Sequence, residues 1–122
     1  MIECLLVGIG GFIGSIFRYL IGLIPLKTEN VFPIKTLGIN VIGAFIIGII
    51  VSVAIKNKNI DSRIVLMLKT GLCGGFTTFS TFAYETMDLM QSGHAMLAII
   101  YVVASIVLGI AAVFMAQMLV QG

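Results

Sequence analysis

The run Gly74-Gly75-Phe76-Thr77-Thr78-Phe79-Ser80-Thr81-Phe82 sets glycines, hydroxyls and aromatic rings side by side within an otherwise apolar stretch. Two adjacent glycines followed by two β-branched threonines are poor material for a continuous helix. A break here frees backbone carbonyls, and freed carbonyls are good ligands for a hard monovalent cation. The alternative is an unbroken helix whose glycines mark a close crossing, and residue types alone leave both open. After this point Phe79 and Phe82 are three apart on one helical face, with Ser80, Thr81 and Glu85 as a polar stripe beside them. Aromatic pairs at this spacing usually pack. Ring edges, however, carry partial positive charge, so edges turned toward a pore stabilise an anion without holding it tightly. Glu85 suits either a solvated interfacial position or a gate on a polar path.

Other polar residues recur at helical spacing in apolar surroundings. Thr36 and Asn40 are four apart and share a face, and the Asn40 amide offers two donors and an acceptor. Asn40 fits both a hydrogen bond between helices and the lining of a polar pathway. Tyr101 and Ser105, also four apart, carry hydroxyls that can donate to an anion. Arg18 lies near the end of the first apolar run, where it would snorkel and cap helix carbonyls, hold a fixed charge beside an anion vestibule, or do both.

These side chains must be positioned by membrane-spanning elements. Sixty per cent of the 122 residues are hydrophobic and the mean hydropathy is +1.20. Seven basic and five acidic residues cannot furnish the charged surface of a soluble domain this size. A span needs roughly 20 mostly apolar residues, and four stretches qualify: about 2–24, 34–55, 62–90 with a break near 74–78, and 95–117. The expected architecture is therefore an all-α integral membrane domain over residues 1–122, with four transmembrane helices and the third broken. The first stretch lacks a basic leader region and a small-residue cleavage site, and is expected to remain in the mature chain. Cys4 and Cys73 stand in different apolar segments and read as structural thiols, while His94 has no partner ligands nearby.

Orientation follows the Lys/Arg balance of short loops. Lys56, Lys58 and Arg63 fall on one side, against Lys27, Lys35 and the reach of Arg18 on the other. So weak a bias predicts insertion in both orientations. Polar groups at membrane depth must be buried in protein or face water, and four helices leave little room for a polar path between them. Small residues at intervals of four (Gly10 and Gly14 leading to Arg18; Ala112 and Ala116) permit close helix approach. A homodimer is the simplest assembly that shelters these groups.

Taken together, Gly10-Gly11-Phe12-Ile13-Gly14-Ser15-Ile16-Phe17-Arg18-Tyr19, Asn40-Val41-Ile42-Gly43 and Gly71-Leu72-Cys73-Gly74-Gly75-Phe76-Thr77-Thr78-Phe79-Ser80-Thr81-Phe82 resemble, over the whole chain, the Fluc (CrcB) family of fluoride channels. The resemblance implies an antiparallel, dual-topology homodimer in the plasma membrane that exports cytoplasmic fluoride passively through two pathways. It implies a structural sodium ion on the two-fold axis, held by backbone carbonyls of Gly74 and Thr77. It also implies that Asn40, Phe79 and Phe82 line the fluoride path and that Arg18 serves its vestibule. Ser80, Thr81, Thr36, Tyr101, Ser105 and Glu85 match the polar track less distinctively. Lys35 departs from the family's usual Gly-Thr pair before the second helix.

Other classes fit less well. A small multidrug-type, proton-coupled transporter has similar size and span number but needs a carboxylate deep in its first helix. Here Glu3 lies at the edge and tryptophan is absent. A non-transporting assembly subunit has no use for clustered Thr, Ser and Phe. No nucleophile–base pair suggests an enzyme, and the expected partners are fluoride, lipid and a second copy of the chain rather than nucleic acid.

Overall fold

The computed structural model describes residues 1–26 and 31–122, so the expected turn at Lys27, Glu29 and Asn30 lies outside the described residues. The elements among the described residues are all helical, in the order α1 (Ile2–Gly22), α2 (Ile34–Lys56), α3 (Ser62–Leu66), a π-helical stretch (Met67–Cys73), α4 (Gly74–Phe76), α5 (Phe79–Gln91) and α6 (Ala95–Gln121). Helices α1, α2 and α6, of 21, 23 and 27 residues, are each long and apolar enough to cross a membrane. Between α2 and α6 the third segment is divided, as its glycines and threonines predict. The π-helical stretch ahead of the break has no counterpart in the sequence reading. Helix α1 ends at Gly22 instead of residue 24, because Ile24 precedes Pro25 and is steered away from helical geometry.

The outer surface is apolar. Phe12, Tyr19, Ile110, Phe114 and Leu119 all stand exposed on the helices. Such a surface is stable only against lipid or another protein surface, which makes the chain a multi-pass membrane protein. Its packing is organised around the divided segment. The π-helical stretch and α4 lie on α1, whereas α5 lies on α6, and α2 runs along α6. The break is where the third segment changes neighbours. Leu37, Leu89, Ala98 and Tyr101 form the core on the α6 side.

On the α1 side, two backbones touch. A Cβ on Gly71 would lie 2.7 Å from the Val7 carbonyl oxygen, and one on Gly75 would lie 2.6 Å from the Gly11 carbonyl oxygen. A Cβ on Gly10 or Gly14 would likewise run into backbone of the third segment. The small-residue stripe of α1 is therefore used within the subunit, not kept for a second copy as its spacing suggested. On α6, Ala116 meets Gly48 of α2, again inside the chain.

Two lysines close helix ends in other parts of the chain. Lys35 Nζ donates to the Gly22 carbonyl at 2.8 Å and Lys56 Nζ to the Val120 carbonyl at 2.9 Å. Each ammonium meets the negative end of a helix dipole and satisfies a terminal carbonyl. Lys35, the departure from the family pattern, thus ties the start of α2 to the end of α1.

The glycine crossing yields a direct test. Gly75→Ala should lower the thermal unfolding midpoint of the detergent-purified protein, with an overpacking cost of about 1–3 kcal/mol. Gly8→Ala, where a Cβ meets nothing within 4 Å, should leave the midpoint unchanged or raise it. Equal midpoints for the two variants would refute the backbone contact.

Candidate functional site

The interruption is confined to Thr77 (φ −82°, ψ 159°) and Thr78 (φ −148°, ψ 118°), both extended. Extended backbone suits β-branched residues, but it takes the Thr78 N–H and the Thr77 and Thr78 carbonyls out of the helical hydrogen-bond ladder. Side chains take over. Thr77 turns its N–H and its Oγ1 back to the Cys73 carbonyl, at 3.0 and 2.9 Å. The Thr78 N–H donates to Asn40 Oδ1 at 2.8 Å, and Asn40 Nδ2 donates to the Thr78 carbonyl at 3.2 Å. Asn40 therefore pairs with Thr78 as a neighbouring strand would. Thr78 Oγ1 then caps α5, accepting from the Thr81 N–H at 3.1 Å.

Arg18 also serves the break. Its Nε donates to the Gly75 carbonyl at 3.1 Å. The sequence reading offered it the carbonyls of its own helix or a vestibule; the structure adds a third role, bracing a neighbouring segment from α1.

The Gly74, Phe76 and Thr77 carbonyls remain, of which Gly74 and Thr77 are the two the resemblance singles out. In an unbroken helix Gly74 would accept from the N–H of residue 78, and Thr77 from that of residue 81. Both N–H groups are diverted to side chains, and no backbone N–H among the described residues replaces them. A Cβ on Gly74 would meet nothing within 4 Å, so the position adjoins open space. No three His, Cys, Asp or Glu side chains gather as a metal site among the described residues. The free oxygens here are neutral and hard, a donor set that suits a hard cation better than a transition metal.

Two clefts share Thr78. One, of about 430 Å³, is lined by Asn40, Gly74, Thr77, Phe79, Phe82 and Ser105 together with Lys69 and Cys73. The other, of about 500 Å³, is lined by Ser15, Arg18, Lys35, Thr36, Thr81 and Glu85. The candidate residues thus divide into an aromatic set and a charged set. Phe79 is 80% exposed, and its ring centroid stands 5.9 Å from that of half-buried Phe82. Phe82 in turn meets Tyr101 edge-on at 5.0 Å. Ser105 Oγ is buried and has no hydrogen-bond partner, a donor left free on the wall of the aromatic cleft.

Two expected donors are already engaged. Thr36 Oγ1 donates to Glu85 Oε2 at 3.0 Å, and the fully buried Tyr101 hydroxyl donates to Glu85 Oε1 at 2.9 Å. Both hydroxyl protons sit on a carboxylate and are not offered to a passing ion in this conformation. Glu85 is neither loose at the interface nor alone on a polar path, since α2 and α6 grip it from both sides. Ser80 lines neither cleft and is exposed, its Oγ 3.4 Å from Thr78 Oγ1.

Thr78 is the site residue that sequence reasoning passed over. It engages its N–H, its carbonyl and its hydroxyl. A cap-forming Thr three residues after Gly75 and three before Thr81 was the available signal.

The family model described as "CrcB-like protein, Camphor Resistance (CrcB)" matches residues 5–117. A protein of Chlorobaculum tepidum named "Fluoride-specific ion channel FluC" is 43% identical over 121 residues, covering 99% of this chain and 96% of its own. Proteins of the same name from Azobacteroides pseudotrichonymphae and Agrobacterium fabrum are 38% and 43% identical. They cover 98% and 93% of this chain, and 96% and 92% of their own lengths. With glycine crossing, broken third helix and full-length relatives all in place, this chain belongs to the CrcB family.

Proposed function

We propose that the chain is one subunit of a fluoride-selective channel, working as an antiparallel homodimer in the plasma membrane with two ion pathways. The reading is carried by the aromatic cleft, where two phenyl rings, an amide and an unpartnered hydroxyl line one space beside a break clamped by Asn40. The names of the full-length relatives support it.

Fluoride is small, strongly hydrated and a strong hydrogen-bond acceptor. A selective path must replace its water with several donors, each weak enough to release it. Arg18 and Lys35 give the charged cleft a positive balance against Glu85, which draws the anion toward the path. Asn40 uses one amide hydrogen on Thr78 and retains a second for the ion. Ser105 offers its free hydroxyl. The edges of Phe79 and Phe82 supply weak positive potential without a fixed charge. An inside-negative potential drives a monovalent anion outward by about 2.3 kcal/mol per 100 mV, so export needs no fuel.

A sodium ion fits the Gly74 and Thr77 carbonyls, whose helical donors are diverted, and when bound it would supply a fixed positive charge joining two subunits. Two carbonyls from one chain leave such an ion under-coordinated, so the second copy completes the site. The multidrug-transporter alternative gains no support. Glu3, the only acidic residue of α1, stands at its N-terminus beside the Met1 ammonium and Arg63, each at 3.5 Å.

Proteoliposomes loaded with fluoride should empty rapidly, while chloride-loaded vesicles should not; equal flux of both ions, or none from folded protein, would defeat the proposal. Ser105→Ala should cut fluoride flux severalfold with an unchanged unfolding midpoint, because its Oγ makes no hydrogen bond. Asn40→Ala should lower both flux and midpoint, since it strands the Thr78 N–H and carbonyl at a cost of about 1–3 kcal/mol each. Wild-type flux in both variants would remove these residues from the pathway. Reporters fused to the C-terminus should signal from both sides of the membrane, and signal from one side alone would exclude dual topology.

A further inference from the structure

Lys69 is a charge without an assignment. It sits in the π-helical stretch, seven residues beyond Ser62 and so roughly 10 Å along the third segment from its start. An ammonium at such depth is costly unless it faces protein or a water-filled cavity. Neither ion pair found among the described residues involves it, and its side chain is exposed.

Its position answers the question of what it faces. Lys69, Cys73 and Thr77, at intervals of four, all line the aromatic cleft. That cleft contains no carboxylate; Glu85 lines the other one, with Arg18 and Lys35. Among the described residues Lys69 is therefore the one formally charged side chain that lines the aromatic cleft. Ser105 of α6, whose Oγ is buried and unpartnered, lines the same cleft from another helix as an acceptor-seeking donor. A lysine needed only for solubility has no reason to share a cleft with it.

We propose that Lys69 is an anion-collecting residue of the ion pathway, concentrating fluoride in the cleft that Arg18 does not line and passing it to Asn40 and Ser105. The proposal rests on the fluoride-channel reading. A compact ammonium on a flexible stem attracts a small hard anion without imposing a fixed geometry. The anion can then leave, as conduction requires. A single-sign cleft with low-dielectric walls raises local ion concentration by about ten- to a thousandfold. The effect therefore belongs at low fluoride, where capture limits the rate.

The test is fluoride efflux from proteoliposomes as a function of fluoride concentration, for wild type, K69Q, K69E and K69R. K69Q should raise the half-saturating concentration roughly tenfold and K69E further, while K69R stays close to wild type. Added impermeant salt should slow wild-type efflux at low fluoride and leave K69Q little changed. Wild-type concentration dependence in both K69Q and K69E would overturn the role of Lys69 alone. A wild type that carries no fluoride would overturn the channel reading and this proposal with it. If K69E fails to fold, K69Q and the salt dependence decide.

Discussion

A backbone that leaves helical geometry inside hydrocarbon must find new partners for every group it releases, at several kcal/mol for each one left bare. In this chain Asn40 meets that requirement at Thr78, with its side-chain oxygen and nitrogen engaged on the N–H and the carbonyl of one residue. Thr78 passes the solution on by capping α5. Arg18 braces the preceding turn through Gly75. Without this set the third segment would revert to helix or expose its polar backbone to lipid. With it, two extended residues persist, and the Gly74 and Thr77 carbonyls are left free of helical donors.

The break also needs a neighbour that permits it. The glycine contacts between α1 and the third segment bring backbone to backbone at Gly10, Gly11, Gly71 and Gly75. Close approach is the main source of helix association in lipid, where burial of apolar surface offers little. It anchors the π-helical half of the segment on α1, while α5 is held on α6 through the Tyr101 and Leu89 core. The two halves are therefore fixed to different helices. The junction between them opens onto both clefts.

Charge is distributed to match. Glu85 accepts hydrogen bonds from Thr36 and Tyr101 on its two oxygens and shares its cleft with Arg18 and Lys35. Lys69 is the charged side chain that lines the aromatic cleft. Meanwhile Lys35 and Lys56 cap helix ends, so two of the basic residues in the orientation balance also hold helices together. A weak topological bias and firm helix capping come from the same side chains.

Much of this was legible in residue order. Four apolar runs of membrane length follow from composition alone, and the Gly-Gly-Phe-Thr-Thr run marks where the third could break without requiring that it does. The grouping of Asn40, Phe79, Phe82 and Ser105 was inferable from resemblance, but their meeting in one cleft was not. Contacts between residues 38 or 57 positions apart, such as Asn40 with Thr78 and Arg18 with Gly75, depend on how helices cross, which spacing within one helix does not encode. The same gap explains two differences. The α1 glycine stripe fits a partner's helix and its own third segment equally well on paper, and only packing shows that it meets the latter. Tyr101 and Thr36 look like free donors until the fold brings Glu85 between them. The sequence by itself determined a membrane chain with a weak point in its third apolar run; the tertiary structure decided that the backbone breaks there and which side chains hold it open, because that depends on three-dimensional proximity.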